Sequence, residues 1–137
     1  MSGWDGYIDN IMASSCVADV AIYGKEGSLW VAFNEGELKN IPAKTIADLQ
    51  NNKDAIYESG VVLGNKRYTL VNDQSNALNW VCFKSKACKE DEQKYSAIMY
   101  VTVKTLIFVV GSTAEVQGSA LLESLEGVVK AFQNFQY

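Results

Sequence analysis

Three cysteines, sixteen acidic residues and twelve basic ones are the bond-making groups of this 137-residue chain, and no histidine stands among them. Without an imidazole the chain lacks the commonest general base and the commonest metal ligand, so Ser-His-Asp, Cys-His and His-zinc chemistries are closed to it. Cys16, Cys82 and Cys88 form an odd set with no Cys-x-x-Cys pair. That fits neither a disulfide framework nor a thiolate metal site and points to a reducing compartment. Cys16 would be oxidisable if it were exposed. Asp5 and Asp9 share one face of a helical segment and imitate a carboxylate pair, but capping and solvation account for them. Gly60-x-x-x-Gly64-x-Lys66 lacks the spacing and the Gly-Lys-Ser/Thr ending of a phosphate loop, and reads as hairpin chemistry. Lys84, Lys86, Lys89 and Lys94 are interleaved with Glu90, Asp91 and Glu92, the composition of a solvated charged loop. No nucleophile is paired with a base, so neither an enzyme nor a bound metal or cofactor is expected.

The elements that must position the remaining side chains follow from periodicity. The length suits one domain, residues 1–137, and the 48% hydrophobic, 20% charged balance suits a folded core. Trp4, Tyr7, Ile8, Ile11 and Met12 recur at helical spacing, with Ser2 and Asp5 placed as a capping box. Val17 to Tyr23 and Ser28 to Phe33 flank Gly24-Lys25-Glu26-Gly27 as a β-hairpin. Pro42 opens a short helix through Ala43, Ile46, Ala47 and Leu49, which the polar run Gln50 to Lys53 ends. Val61 to Leu63 and Tyr68 to Val71 form a second hairpin around Gly64-Asn65. Trp80 to Phe83, Ala97 to Val103 and Thr105 to Val110 are further strands, and no helix of crossover length separates them, so the sheet is antiparallel. Leu121, Leu122, Leu125, Val128, Val129 and Phe132 make one apolar stripe on a final helix of about four turns, with Gly118-Ser119 as its cap. Trp80 and Phe83 are assigned to packing. The class is α+β, opened and closed by helices.

The apolar stretches, such as Thr105 to Gly111, fall far short of the ~20 residues of a membrane helix, and the N-terminus lacks a signal pattern. A soluble, cytoplasmic protein is expected. The formal charge of -4 and pI near 4.8 repel nucleic acid and anionic membranes, so no nucleic-acid partner is expected.

In their order and in several local strings, these elements resemble profilins. Ser2-Gly-Trp-Asp-Gly-Tyr-Ile-Asp-Asn-Ile-Met12 is similar to that family's opening helix, Ala21-Ile22 followed by Ser28-Leu29-Trp30 to its first hairpin, and Asn40-Ile-Pro42 to the entry of its second helix. Tyr57 through Gly60 to Leu63-Gly64, Lys104-Thr105-Leu106 and Phe135-Gln136-Tyr137 continue the match over nearly the whole chain. The resemblance implies a central antiparallel sheet with the terminal helices side by side on one face and short helices on the other. It also implies a monomeric, cytoskeleton-associated protein that regulates actin polymerisation, with monomeric actin, proline-rich proteins and, weakly, phosphoinositides as partners.

Proline-rich ligands form the polyproline II helix, whose carbonyls are left free, so a reader needs flat rings and N–H or O–H donors. Trp4, Tyr7, Trp30 and Tyr137 supply that chemistry, and the family pattern adds Asn10 and Phe132. Ala131 stands where many profilins carry a histidine, which implies a weaker groove. The residues matching the family's actin surface are Tyr57, Arg67, Val71, Asn72, Lys84, Lys86, Gln117, Gly118, Leu122 and Glu123. Arg67, Lys84, Lys86 and Gly118 keep the family's character. Asn72 stands where an arginine is common, Gln117 where a histidine is, and Leu122-Glu123 where Asn-Lys is, so Glu123 reverses a charge. As the first turn of a helix, that position also favours an acidic side chain on dipole grounds alone. The alternative function is therefore a proline-motif scaffold of the same fold with weak or lost actin binding.

Overall fold

The computed structural model describes residues 4–86 and 93–137, with the side chain of Trp4 left outside that description. The elements run α1 (Trp4–Met12), β1 (Val17–Gly24), β2 (Leu29–Ala32), α2 (Ala43–Asn51), α3 (Lys53–Ser59), β3 (Val61–Leu63), β4 (Lys66–Gln74), β5 (Trp80–Ser85), β6 (Ser96–Val101), β7 (Thr105–Gly111) and α4 (Gly118–Phe135), with a 3-10 turn at Leu38–Asn40. The seven strands form one sheet in the order β2-β1-β7-β6-β5-β4-β3, and every pair is antiparallel. Short turns suffice for most neighbours, whereas β1 meets β7 only when distant parts of the chain are brought together.

Alternation along the strands divides the interior in two. Ala21, Tyr23, Phe83, Met99 and Phe108 face Leu38, Ile46, Leu49 and Ile56 from the 3-10 turn, α2 and α3. Val20, Ile22, Ile98, Ile107 and Val109 face Ile8 and Ile11 of α1 and Leu121, Leu125, Val128 and Phe132 of α4. Each fully buried large apolar side chain contributes about 1.5–3 kcal/mol, so both layers are needed and each helix is held by its stripe. Side by side, α1 and α4 lie on one face, with α2 and α3 on the other.

Several local expectations need correction. The polar run after Leu49 ends α2 at Asn51 as expected, but a further helix follows at once: Asn52 leaves helical dihedrals at φ -138° and α3 begins at Lys53, burying Ile56. The last helix has 18 residues, five turns rather than four, and its N-cap is Gln117, with no side-chain capping bond. Gly118 is already the first helical residue, and a β-carbon there would sit 3.2 Å from Cys82 Sγ, so the helix start packs directly on the sheet. β6 ends at Val101, where Thr102 Oγ1 accepts the Thr105 N–H at 3.1 Å and turns the chain into β7. Ser2, and Cys88 to Glu92 of the charged loop, lie outside the described residues.

The connection between β2 and α2 is tied down by polar groups. Asp19 Oδ2 accepts the N–H of Glu37 at 2.8 Å and of Leu38 at 3.0 Å. Tyr23, buried, donates its hydroxyl to Leu38 O at 2.7 Å and accepts from the Ile41 N–H at 2.9 Å. Burial raises the Asp19 carboxyl above its ordinary value, against the lowering pull of the N–H donors, and its Oδ1 is buried with no hydrogen-bond partner among the described residues.

Candidate functional site

Rings from three elements and the residue at the chain end meet at one end of the α1 and α4 layer. Tyr7 of α1 meets Phe132 of α4 edge to face, with centroids 4.9 Å apart and planes at 86°. Tyr137 meets Phe132 at 5.5 Å and 83°, and Trp30 of β2 at 6.3 Å and 85°. Such edge-to-face pairs each add about 0.5–1.5 kcal/mol beyond their buried area, so the cluster is a rigid assembly.

Each ring has a local cause for its place. Tyr7 lies one residue before buried Ile8 on α1, at the margin of the helix's apolar face. Trp30 sits at a bulge: Val31 opposes Ile22 and Leu29 opposes Tyr23, so Trp30 is the extra residue on β2. A bulge re-aims a side chain, and here the indole packs on the α1 and α4 layer. Gln136 takes left-handed dihedrals after α4, at φ 60°. Tyr137 then donates its N–H back to Phe132 O at 2.9 Å, while its own backbone oxygen accepts from the Lys104 N–H and, at 3.0 Å, from Thr102 Oγ1. The end of the helix is thus fastened to the β6–β7 turn, which turns the Tyr137 ring into the cluster.

Of the residues read from the sequence as the proline groove, Tyr7, Trp30 and Tyr137 are half-buried within this cluster. Phe132 is fully buried at 0% exposure, a floor beneath the other rings rather than a contact surface, because it belongs to the stripe that holds α4 to the sheet. Asn10 is exposed beside a cleft between the helices, lined by Gly6, Tyr7, Asn10, Gly127 and Val128. The Trp4 side chain lies outside the described residues. Phe135 was missed: it is 63% exposed and stacks on Tyr137 at 5.9 Å and 28°. Spacing alone hides it: three residues after Phe132 and seven after Val128, Phe135 continues the apolar stripe, yet it stands exposed in the last turn of the helix.

The second group of residues occupies the sheet beyond α4, which packs on β6 and β7. Thr69 pairs with Lys84 and Asn72 with Cys82, and alternation places all four on the face that carries α4. Arg67 lies on that face too, its guanidinium donating to Ser59 O at 2.7 Å. Val71 is the bulge residue of β4, between the Leu70–Phe83 and Asn72–Cys82 pairs, and is 57% exposed. Gln117, Gly118, Leu122 and Glu123 border this open face from the start of α4, where burial pushes the Cys82 thiol up. Lys86 passes over Gly60, 3.5 Å from where a β-carbon would be. Tyr57 is exposed on α3, which belongs to the opposite layer, so it can join this set only around the sheet edge at β3 and β4.

No helix among the described residues is long and apolar enough to cross a membrane. The family model described as Profilin matches residues 2–137. Among curated proteins, the chain is 26% identical over 135 residues to rat profilin-2, covering 95% of each. It is 33% identical to human profilin-1 over 76 residues, covering 53% of this chain and 54% of that protein. Among solved structures it superposes on mouse profilin IIa in complex with a double repeat from the FH1 domain of mDia1, with a TM-score of 0.87, 22% identity and 99% and 100% of the two chains covered. A LokiProfilin2/rabbit actin complex is more distant, with a TM-score of 0.70, 17% identity and 98% of each chain covered.

Proposed function

Because this chain belongs to the profilin family, we propose that it binds monomeric actin on the open sheet face beside the start of α4 and proline-rich segments on the ring cluster. Members of this family are actin-binding regulators, not enzymes. The observation that carries the reading is the convergence of Tyr7, Trp30 and Tyr137 over Phe132 from three separate elements and the chain end. Half-buried rings held edge to face offer the flat surfaces on which a polyproline II helix packs. Phe135, stacked on Tyr137, extends the same surface toward the end of α4. Relatives in complex with an FH1 repeat and with actin agree with both partner classes. On this reading the protein is a cytoplasmic, cytoskeleton-associated single domain, with a weak attraction for phosphoinositides inherited from the family.

A second reading is favoured by Glu123, exposed at the edge of the open face, with Asn72, Gln117 and Leu122 near it. If actin presents carboxylates there, like charges are juxtaposed and the complex is weakened by up to several kcal/mol. The protein would then be chiefly a proline-motif scaffold. Sedimentation equilibrium with monomeric actin and tryptophan fluorescence with oligoproline test both readings together. Micromolar actin binding and an oligoproline response abolished by Trp30→Ala support the two-partner protein. An oligoproline response without an actin complex supports the scaffold, and no oligoproline response at millimolar peptide refutes the ring cluster as a proline site.

A further inference from the structure

A groove runs along the side of α4 that faces away from α1, outside the ring cluster. Its floor is Trp80 of β5 and Tyr100 of β6, half-buried and directly paired across the two strands. Its inner wall is one face of α4, where Leu122, Glu123, Glu126 and Val129 follow at i, i+1, i+4 and i+7. These positions span about 10 Å of helix. The outer lip is Leu78, 54% exposed on the β4–β5 turn. That turn is fixed by left-handed Asn79, at φ 66°, whose carbonyl accepts from the Val101 N–H at 2.7 Å. Tyr100 also lines a second depression, which continues past Thr102 to Gln133 and is bounded by Lys25.

The groove is apolar and aromatic below and acidic at one rim. Glu123 and Glu126 are exposed, and neither forms an ion pair among the described residues. Aromatic faces beside unneutralised carboxylates select a cation carried on an apolar stem and repel phosphate. Lys25 at the far end confines basic residues of a ligand to the Glu123 and Glu126 end. We propose that this groove docks a short peptide segment of a partner protein, apolar along its length and bearing arginine or lysine at one end. Its basic heads meet Glu123 and Glu126 while its apolar side chains lie on Trp80 and Tyr100 against Leu78. The site goes beyond the two surfaces above, although its acidic end borders the open sheet face through Leu122 and Glu123.

The test follows the indole N–H resonance of Trp80, assigned with Trp80→Phe, in a two-dimensional NMR titration. The probe is a synthetic peptide of leucines ending in two arginines, about four residues long to match the ~10 Å wall of the groove, with a leucine–glutamate peptide of the same pattern and oligoproline as controls. The leucine–arginine peptide is expected to move the Trp80 resonance saturably, the leucine–glutamate peptide at least tenfold more weakly, and oligoproline not at all. Glu126→Lys should weaken binding tenfold or more and Leu78→Ser several-fold, both with an unchanged thermal midpoint. Neither residue belongs to the actin or proline readings, so this result stands or falls apart from theirs. An immobile Trp80 resonance at millimolar peptide, or equal responses to the arginine and glutamate peptides, overturns the proposal. Self-association that Glu126→Lys abolishes, with no peptide response, would assign the groove to a second copy and overturn it as well.

Discussion

Replacing Gly127 by alanine should stabilise the protein, while the same replacement at Gly60 should damage it. Gly127 is exposed in the interior of α4, and a β-carbon there would meet only Asn10 Oδ1, at 3.6 Å, an ordinary contact. Glycine in a helix interior costs about 0.8–1.0 kcal/mol relative to alanine, and nothing at this site offsets the gain. Spread over 137 residues at about 2 cal/mol/K each, 1 kcal/mol raises the thermal midpoint by roughly 3 °C. Gly60 has φ +77°, and a β-carbon would lie 2.6 Å from the Tyr68 carbonyl oxygen, a backbone atom that cannot swing away. With ψ at -173° as well, Gly60 sits in a region essentially reserved for glycine, which costs a residue with a side chain about 1–3 kcal/mol, and the clash adds to that. Urea and thermal unfolding followed by circular dichroism would measure both. Gly127→Ala also leaves Tyr7, Trp30 and Tyr137 in place, so oligoproline affinity should stay within about twofold, well under the tenfold that 1.4 kcal/mol represents. A less stable Gly127→Ala, or an unharmed Gly60→Ala, would refute the packing argument. A more stable Gly127→Ala that no longer binds oligoproline would move the ligand from the rings into the cleft between α1 and α4.

The carboxyl of Asp19 is raised by burial, so the folded state favours its neutral form. Its contribution to stability is then full below the ordinary value of 3.8 and is lost as pH rises through the higher folded value. Asp19→Asn removes that loss, and urea unfolding should show the variant gaining on the parent as pH rises above 3.8, whereas a pH-independent difference would sink the idea. Tyr23→Phe removes the donor to Leu38 O and the acceptor for the Ile41 N–H in a buried site, and should cost about 1–3 kcal/mol with faster hydrogen exchange at Ile41. Unchanged exchange there would show that the hydroxyl does not hold the connection. On the proposed actin face, Glu123→Lys should tighten the actin complex by about tenfold or more at low salt, an advantage that shrinks at physiological salt. Sedimentation at two ionic strengths measures it, and an affinity indifferent to the change would clear Glu123 of the weak binding argued from its charge.

Much of the fold was legible because its signals are periodic. Strand alternation and the stripe from Leu121 to Phe132 depend only on which side of an element is buried, and the sheet divides its two layers along those lines. What could not be read is whatever depends on a single irregular residue. The bulges that set Trp30 and Val71 apart leave no mark in the pattern of apolar residues, since one inserted position merely looks like imperfect alternation. Lys53–Ser59 is a helix with one buried residue, Ile56, too short to show a stripe. Phe132 illustrates the limit for the site itself: its chemistry suits a ligand groove, but the helix needs it inside, and burial is decided by tertiary packing. Phe135 is the opposite case, an apolar ring at stripe spacing that is left exposed because it stands at the last position of its helix.

The architecture also bears on how two partners would be handled. With 18 residues α4 is about 27 Å long, its first turn bordering the open sheet face and its last turn carrying Phe132 and Phe135 into the rings. A contact at one end is therefore out of direct reach of the other, and a proline-rich segment need not displace a protein held on the sheet. Both ends are nevertheless parts of one rigid element packed along its length by Leu121, Leu125, Val128 and Phe132, so their separation is fixed rather than averaged over a flexible linker. A fixed short separation confers a high effective concentration on whatever is joined through it. On the proposed reading, a proline-rich factor that captures the rings acquires an actin monomer at a constant distance and orientation. No fragment of the chain could do the same, because the rings come from α1, β2, α4 and the residue after it, and only the complete sheet brings β2 beside the last helix.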